Sequence, residues 1–276
     1  MSFRLFETFQ HSVNYAKYRV SPPKNAIALI LNYLSPDEEH NAQRWPAAAD
    51  VGTGTGQCAQ LLAPYFEKVY GFDISEAQLN EAVKSNVFAN VEYKAAPAED
   101  LPLADSSVNL VIASQSAHWF ELQKFFDEAN RILVPGGVIA LLGYHMPNVF
   151  PVNEHNSNKF KSLINDVYKS SLLSFYWNQN ERAKIDSGYK DIILPFADFT
   201  RHENIELVKT MRAYEIAGYI TSWSGFNKLS ENKPDDAKKL LTDFEAKIIA
   251  LTGKKDLNEV QFDLIYSFFI LIGRKR

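Results

Sequence analysis

The sequence predicts an α/β fold in which helices cover a mostly parallel sheet. In the first half of the chain, short apolar runs alternate with stretches of helical periodicity, as successive β–α units require. One of these runs leads into "DVGTGTG", residues 50–56, where glycines stand at every second position. With 276 residues, 46% of them hydrophobic, the chain is large enough for one domain with a substantial core.

The elements of the first half follow one another in a regular order. Apolar residues at helical spacing, and a Ser-Pro-Pro start at residues 21–23, predict N-terminal helices within residues 1–34. Ser75 and Gln78 stand at capping-box spacing and mark the start of a later helix. Altogether we predict strands at 47–51, 68–73, 91–95, 107–114 and 138–143, and helices at 57–66, 75–85 and 121–133.

The pattern changes after Gly143, where the chain becomes polar and aromatic. Residues 198–207 are a strand candidate, and helical patterns follow at 208–220 and 235–251. A long apolar and aromatic run at 260–273 predicts a final strand. We therefore expect a single domain over 1–276, with N-terminal covering helices (1–34), a ligand-binding core (46–143), a helical insertion or lid (144–230), and a final helix and strand (231–276).

Composition restricts the class of partner. The net charge of −4 provides no broad positive surface for nucleic acid. The single cysteine, Cys58, excludes an intrachain disulfide and a cysteine-based zinc site, and fits a reducing compartment. The longest apolar run, residues 267–273, is far shorter than the ~20 residues of a membrane-spanning helix. We expect a cytoplasmic protein that binds neither nucleic acid nor membrane; the oligomeric state is open.

The glycine loop and Asp73 form the candidate site. Glycines between a strand and a helix let a ligand approach the backbone, and the helix start offers free N–H groups and a partial positive charge. Asp73 ends the second strand, 21 positions after Gly52. A carboxylate at that place can accept hydrogen bonds from ribose hydroxyls. The alternative is that Asp73 only caps the helix near Ser75.

Two ligands fit this loop. Gly54, Gly56 and Ala59 satisfy the dinucleotide pattern G-x-G-x-x-G/A, with an acidic residue at the appropriate strand end. Asp50 precedes the glycines, and its carboxylate would repel a pyrophosphate but suits a cationic ligand. From the residues alone, both a dinucleotide and a cationic cofactor stay open.

Several motifs in order then resemble one family. Residues 50–56 closely resemble the first motif of class I S-adenosylmethionine-dependent methyltransferases, and "GFDIS" (71–75) resembles the second. The segment 95–114 resembles the third and fourth motifs, and "RILVPGG" (131–137) matches the turn before the fifth strand. "SAHWF" (116–120) resembles a narrower small-molecule subgroup that includes trans-aconitate methyltransferases. The resemblance covers roughly residues 46–143 and implies a Rossmann-like sheet of seven strands, the last antiparallel between the fifth and sixth.

The resemblance also implies site residues. S-adenosylmethionine would be the cofactor and S-adenosylhomocysteine the product, with Asp73 on the ribose, Ile74 against the adenine, and no metal. His118 is either a general base or a wall of the pocket. Arg19, Tyr144 and Trp223 are expected to contact the substrate. The expected cofactor-binding residues are Tyr18, Asp50, Gly52, Thr53, Gly54, Gly56, Gln57, Asp73, Ile74, Ala98, Glu99, Ser114, Gln115 and Trp119.

The expected function is methyl transfer from S-adenosylmethionine to a small molecule, with a carboxylic acid oxygen as the candidate acceptor. Two alternatives stay open at this point. One is a nicotinamide-dependent oxidoreductase that uses the dinucleotide pattern. The other is a cofactor-binding protein without methyltransferase activity.

Overall fold

The computed structural model describes residues 17–35, 44–152 and 158–276. The predicted helix at the very start of the chain lies outside these residues. The helices are α1 (Lys24–Leu34), α2 (Gln57–Leu62), α3 (Glu76–Ser85), α4 (Leu122–Ile132), α5 (Leu163–Tyr168), α6 (Ser171–Ser174), α7 (Gln179–Asp186), α8 (Ala213–Thr221), α9 (Ser224–Asn232) and α10 (Pro234–Thr252). The strands are β1 (Trp45–Val51), β2 (Phe66–Asp73), β3 (Val91–Ala95), β4 (Val108–Ser114), β5 (Leu133–Tyr144), β6 (Asn148–Pro151), β7 (Ala197–Arg212) and β8 (Gln261–Arg274).

The described strands form one sheet of eight, where seven were predicted. Strands β3, β2, β1, β4 and β5 are parallel neighbours in that order. Strand β8 runs antiparallel between β5 on one edge and β7 on the other, as the resemblance implies for the last strand. The extra strand is β6, a four-residue segment that pairs with the beginning of β8.

The core lies on both faces of the sheet because successive strand residues point to opposite sides. In β4, Leu110 and Ile112 belong to one buried cluster, whereas Val111 and Ala113 belong to the other. A strand buried on both faces reads as a continuous apolar run, which explains why the parallel strands were recognisable in the sequence.

Three predicted boundaries were wrong by four or more residues. Helix α2 ends at Leu62 because the fully buried Phe66 already begins β2. Strand β5 begins at Leu133, five residues early, since that residue pairs with Val108. Residues 208–212 are strand and not helix: they extend β7, and each of them pairs with a residue of β8.

Residues 144–230 are not purely helical, because they contain β6, β7 and five short helices, α5–α9. Within the residues that the structure describes, no helix is both long enough and apolar enough to cross a membrane.

Candidate active site

The carboxyl ends of the parallel strands border a cavity of about 650 Å³. Ligands of open α/β sheets collect at this edge, beyond the ends of the strands. On one side, which we call the loop side, the wall is formed by residues from the segments 50–58, 73–78, 96–99 and 114–121. On the other, which we call the lid side, it is formed by Arg19 and by residues from the segment 144–224.

The glycine loop is shaped partly by the protein's own side chains. Gly52 has φ +68°, and a Cβ there would overlap Ser116, whose Oγ donates a hydrogen bond to the Val51 carbonyl (2.8 Å). Gly56 has φ +83°, and a Cβ there would overlap the Tyr93 ring. These two glycines therefore make room for protein atoms, whereas the sequence predicted that a ligand required all three.

Asp73 joins the glycine loop to the following helix. Its Oδ2 accepts a hydrogen bond from the Gly54 amide and its Oδ1 one from the Ser75 amide, both at 2.9 Å. The helix itself is capped by Ser75, whose Oγ accepts from the Gln78 amide (3.3 Å). Burial raises the pKa of Asp73, and the hydrogen bonds from Ser75 and Gly54 oppose that rise. Each carboxylate oxygen can still accept another hydrogen bond from the cavity.

Asp50 is fully buried beneath the loop. The Thr53 hydroxyl donates to its Oδ2 (2.6 Å), whereas no residue that the structure describes hydrogen-bonds its Oδ1. Burial raises the pKa of Asp50 to about 7, although the Thr53 hydroxyl and the nearby Ala59 amide oppose that rise. An incompletely paired buried carboxylate of this kind is costly to the protein unless a ligand offsets its charge.

Replacing Asp50 with Asn is expected to stabilise the ligand-free protein by about 1 kcal/mol more at pH 8 than at pH 6. The pKa of Asp50 is higher in the folded protein than in the unfolded chain. The folded state therefore binds the extra proton below pH 7, and stability falls as the pH rises through 7. Denaturant unfolding at the two pH values measures this, with the exposed Asp191→Asn as the matched control. An Asp50→Asn effect that does not change with pH would contradict it.

The other loop-side residues suit a flat, partly apolar ligand. Ile74 is 51% exposed at the cavity although it is a large apolar side chain. Ala98 is buried nearby, and the Glu99 Oε1 accepts a hydrogen bond from the Glu121 amide (2.8 Å). Trp119 is 37% exposed, and its ring packs against the His118 ring at a tilted angle.

His118 lies in a short 3₁₀ turn, Ala117–Trp119, just after β4. Its Nδ1 is hydrogen-bonded to the Tyr189 hydroxyl at 2.8 Å. Burial, followed by the positive charges of Lys184 and Arg19, lowers the pKa of His118 to about 3. The ring is therefore neutral at pH 7, and such a low pKa favours a pocket wall over a general base, which works best with a pKa near the operating pH.

Arg19 connects the N-terminal segment to the lid side. It donates from Nη1 to the Tyr144 hydroxyl (3.2 Å) and from Nε to the Ser222 Oγ (3.1 Å), and its guanidinium lies over the Tyr219 ring. Trp223, buried next to Ser222, lines the same cavity.

A second arginine, which sequence reasoning missed, lies on the lid side. The Arg182 guanidinium stacks 4.1 Å from the centre of the Tyr168 ring, and its Nε donates to the Asp186 Oδ2 (3.2 Å). Tyr168 donates to the other oxygen of Asp186 (2.9 Å), so that the three side chains fix one another. The Arg182 side chain is only 15% exposed, and no described residue hydrogen-bonds its Nη1 or Nη2.

The structure brings almost all of the predicted site residues together. Every one lines the cavity except Gly56, which contacts Tyr93, and Tyr18, whose ring packs against Gly218 of α8. Sequence reasoning missed Tyr168, Glu181, Arg182, Asp186 and the His118 partner Tyr189. They lie in a polar stretch with no motif, and no local pattern identifies them.

Comparisons with known proteins identify the family. A family model described as a methyltransferase domain matches residues 49–141. A protein of Dictyostelium discoideum named as a methyltransferase is 30% identical over 238 residues, which cover 86% of each chain. The chain belongs to the methyltransferase family. This methyltransferase is also 26% identical to a Saccharomyces cerevisiae protein named as an S-adenosylmethionine-dependent methyltransferase, over 96% of each chain.

A solved structure supports the same assignment. A protein from Anaeromyxobacter dehalogenans described as a type II methyltransferase is 28% identical to this methyltransferase and superimposes with a TM-score of 0.70, covering 93% of this chain and 98% of that one. The class I resemblance of the motifs is thereby confirmed, and the family implies S-adenosylmethionine as methyl donor. The comparisons give no support to the oxidoreductase alternative, and the narrower trans-aconitate-like subgroup stays a prediction.

Proposed function

We propose that this methyltransferase transfers a methyl group from S-adenosylmethionine to a carboxylate oxygen of a small molecule. The observation that carries the proposal is the pair of guanidinium groups, Arg19 and Arg182, on the lid side of the cavity. Guanidinium groups are the preferred partners of carboxylates because they donate two parallel hydrogen bonds.

The loop side fits the cofactor. When bound, S-adenosylmethionine supplies a methyl group already activated by its positively charged sulphur. Asp73 would accept hydrogen bonds from the ribose, and Ile74 and Ala98 would contact the adenine. Asp50 supplies negative charge beneath the loop, and its unpartnered Oδ1 favours a cationic ligand over a pyrophosphate.

The neutral His118 agrees with an acceptor that needs no base. A carboxylic acid is already ionised at neutral pH, so that its oxygen can attack the methyl carbon without losing a proton. With the cofactor bound, the new oxygen–carbon bond would form as the carbon–sulphur bond breaks and sulphur keeps the electron pair, so that the products would be a methyl ester and S-adenosylhomocysteine. The protein's task is to align the acceptor and to exclude water.

The acceptor favoured by the lid side also carries a hydrogen-bond donor. Glu181 lines the cavity beside Arg182, and no described residue hydrogen-bonds its buried Oε2. Tyr168, Trp177 and Trp223 enclose this region with aromatic rings. An organic acid with an apolar body and a hydroxyl group matches these surroundings.

A methyl-transfer assay tests the proposal. The protein is incubated with methyl-labelled S-adenosylmethionine and a panel of organic acids, alcohols, amines and thiols. We expect label to be transferred to an organic acid. Treatment of that product with alkali should release labelled methanol, because alkali hydrolyses methyl esters but not methyl ethers or methylamines. An alkali-stable product would contradict carboxylate methylation. Binding of S-adenosylhomocysteine without transfer to any compound would favour the alternative of a binding protein without activity.

Replacing Arg182 with Gln is expected to raise the KM for the acid acceptor about 10-fold, the effect of losing a hydrogen bond to a charged group. The dissociation constant of S-adenosylhomocysteine is expected to stay the same, since Arg182 lies on the lid side. Steady-state kinetics and calorimetry measure the two quantities. The exposed Arg212, which does not line the cavity, provides the control Arg212→Gln. Equal KM values for the wild type and Arg182→Gln would remove Arg182 from the acceptor site.

A further inference from the structure

The Tyr189 hydroxyl is hydrogen-bonded to the His118 ring because an unusual turn places it there. The turn follows α7, and both Gly188 (φ +68°) and Tyr189 (φ +58°) adopt left-handed backbone conformations. The Tyr189 amide donates to the Lys184 carbonyl (2.9 Å) and the Gly188 amide to the Ile185 carbonyl (2.9 Å). A residue other than glycine costs about 1 kcal/mol in this conformation, so the rest of the structure must hold Tyr189 in place.

The same end of α7 also holds the His118 backbone. Lys184 donates from Nζ to the His118 carbonyl (3.3 Å), while the fully buried Tyr189 meets the ring nitrogen Nδ1 at 2.8 Å. Tyr189 further packs edge-on against Phe269 of β8. Residues of the lid segment therefore fix the orientation of His118, although His118 itself lies in the "SAHWF" motif just after β4.

The two nitrogens of His118 have different surroundings. Nδ1 has the Tyr189 hydroxyl as its partner, whereas no described residue hydrogen-bonds Nε2, and the ring lines the cavity. In a neutral imidazole one nitrogen carries the proton and the other accepts. A phenol is a better donor than acceptor, since its oxygen lone pair is delocalised into the ring, and the bare nitrogen of a neutral imidazole is a strong acceptor.

We propose that Tyr189 is a positioning residue that donates its hydroxyl proton to Nδ1 of His118 and so holds the ring in the tautomer protonated at Nε2. The ring then offers a hydrogen-bond donor to the cavity. Its target is an oxygen of the acceptor, which it orients without removing a proton. This last step rests on the proposed function, whereas the tautomer does not.

Nitrogen NMR on protein with ¹⁵N-labelled histidine tests the tautomer directly. The chain has six histidines, and the His118 signals are assigned as those lost in His118→Gln. Long-range ¹H–¹⁵N spectra distinguish a protonated ring nitrogen from a bare one. We expect a protonated Nε2 and a bare Nδ1 in the wild-type protein. A protonated Nδ1 in the wild type overturns the proposal. The tautomer is read from the wild-type protein itself, and His118→Gln serves only for the assignment.

The variant Tyr189→Phe tests the role of the hydroxyl. Its His118 signals are expected to shift towards a mixture of both tautomers, whereas spectra that match those of the wild type would overturn the proposal. Tyr33→Phe is the matched control, because the Tyr33 hydroxyl donates to the Asp198 carbonyl and Tyr33 does not line the cavity.

With an acceptor from the methyl-transfer assay, Tyr189→Phe is expected to lower kcat about 2- to 10-fold, the usual range for one hydrogen bond. The affinity for S-adenosylhomocysteine should not change. An unchanged kcat together with the altered tautomer would exclude a role of His118 towards the acceptor. If no acceptor is found, the proposed function fails while the NMR result still decides the tautomer.

Discussion

Replacing Asp73 with Ala is expected to weaken S-adenosylhomocysteine binding by about 1–3 kcal/mol, roughly a 5- to 150-fold rise in the dissociation constant. Two losses combine. The carboxylate would no longer accept the proposed ribose hydrogen bonds, and the Gly54 and Ser75 amides would lose the partner that positions the loop against α3. Isothermal titration calorimetry on wild type and variant measures the change.

One further variant helps to separate these losses, and a second is a control for charge. Asp73→Asn retains one acceptor oxygen and is expected to bind with an affinity between those of the wild type and Asp73→Ala. Glu76→Ala removes an exposed carboxylate three positions away that does not line the cavity, and it should bind as the wild type does. An unchanged affinity in Asp73→Ala would show that the ribose lies elsewhere. An equal loss in Glu76→Ala would point to a general effect of charge.

The parallel half of the sheet could be predicted because its signals are local. Strand β3 was predicted with its observed bounds, residues 91–95, and the helix cap at Ser75 was predicted with its partner Gln78. Each of these depends on residues close together in the chain. The site residues of the loop side follow directly, since the ends of parallel strands meet at one edge of the sheet.

The lid side could not be predicted in the same way, because its contacts join distant parts of the chain. Arg19 meets Ser222 across 203 positions, and His118 meets Tyr189 across 71. Residues 208–212 show how tertiary structure overrides local pattern: Val208 and Met211 stand at helical spacing, yet pairing with β8 holds them in a strand. No periodicity encodes such partners.

Replacing Gly52 with Ala is expected to lower the free energy of unfolding by about 2–4 kcal/mol. About 1 kcal/mol arises from the left-handed backbone at φ +68°, and about another 1–3 kcal/mol from overlap with Ser116. The overlap is with Ser116 Cβ and Oγ, close to the backbone, so that it cannot be relieved by rotation of a long side chain. Since Ser116 leads directly into the turn of His118, we also expect S-adenosylhomocysteine binding to weaken. Denaturant unfolding and calorimetry measure the two effects.

Gly253 provides a matched control for the backbone contribution. It has φ +71°, close to that of Gly52, but a Cβ there would meet no atom within 4 Å. Gly253→Ala is therefore expected to lower the free energy of unfolding only by the conformational contribution. The difference between the losses in Gly52→Ala and Gly253→Ala measures the contribution of the overlap. Adding Ser116→Gly to Gly52→Ala should recover part of that difference, because it removes the atoms in the way. If Gly52→Ala costs no more than Gly253→Ala, the glycine at position 52 serves a ligand and not Ser116, as the sequence alone had predicted.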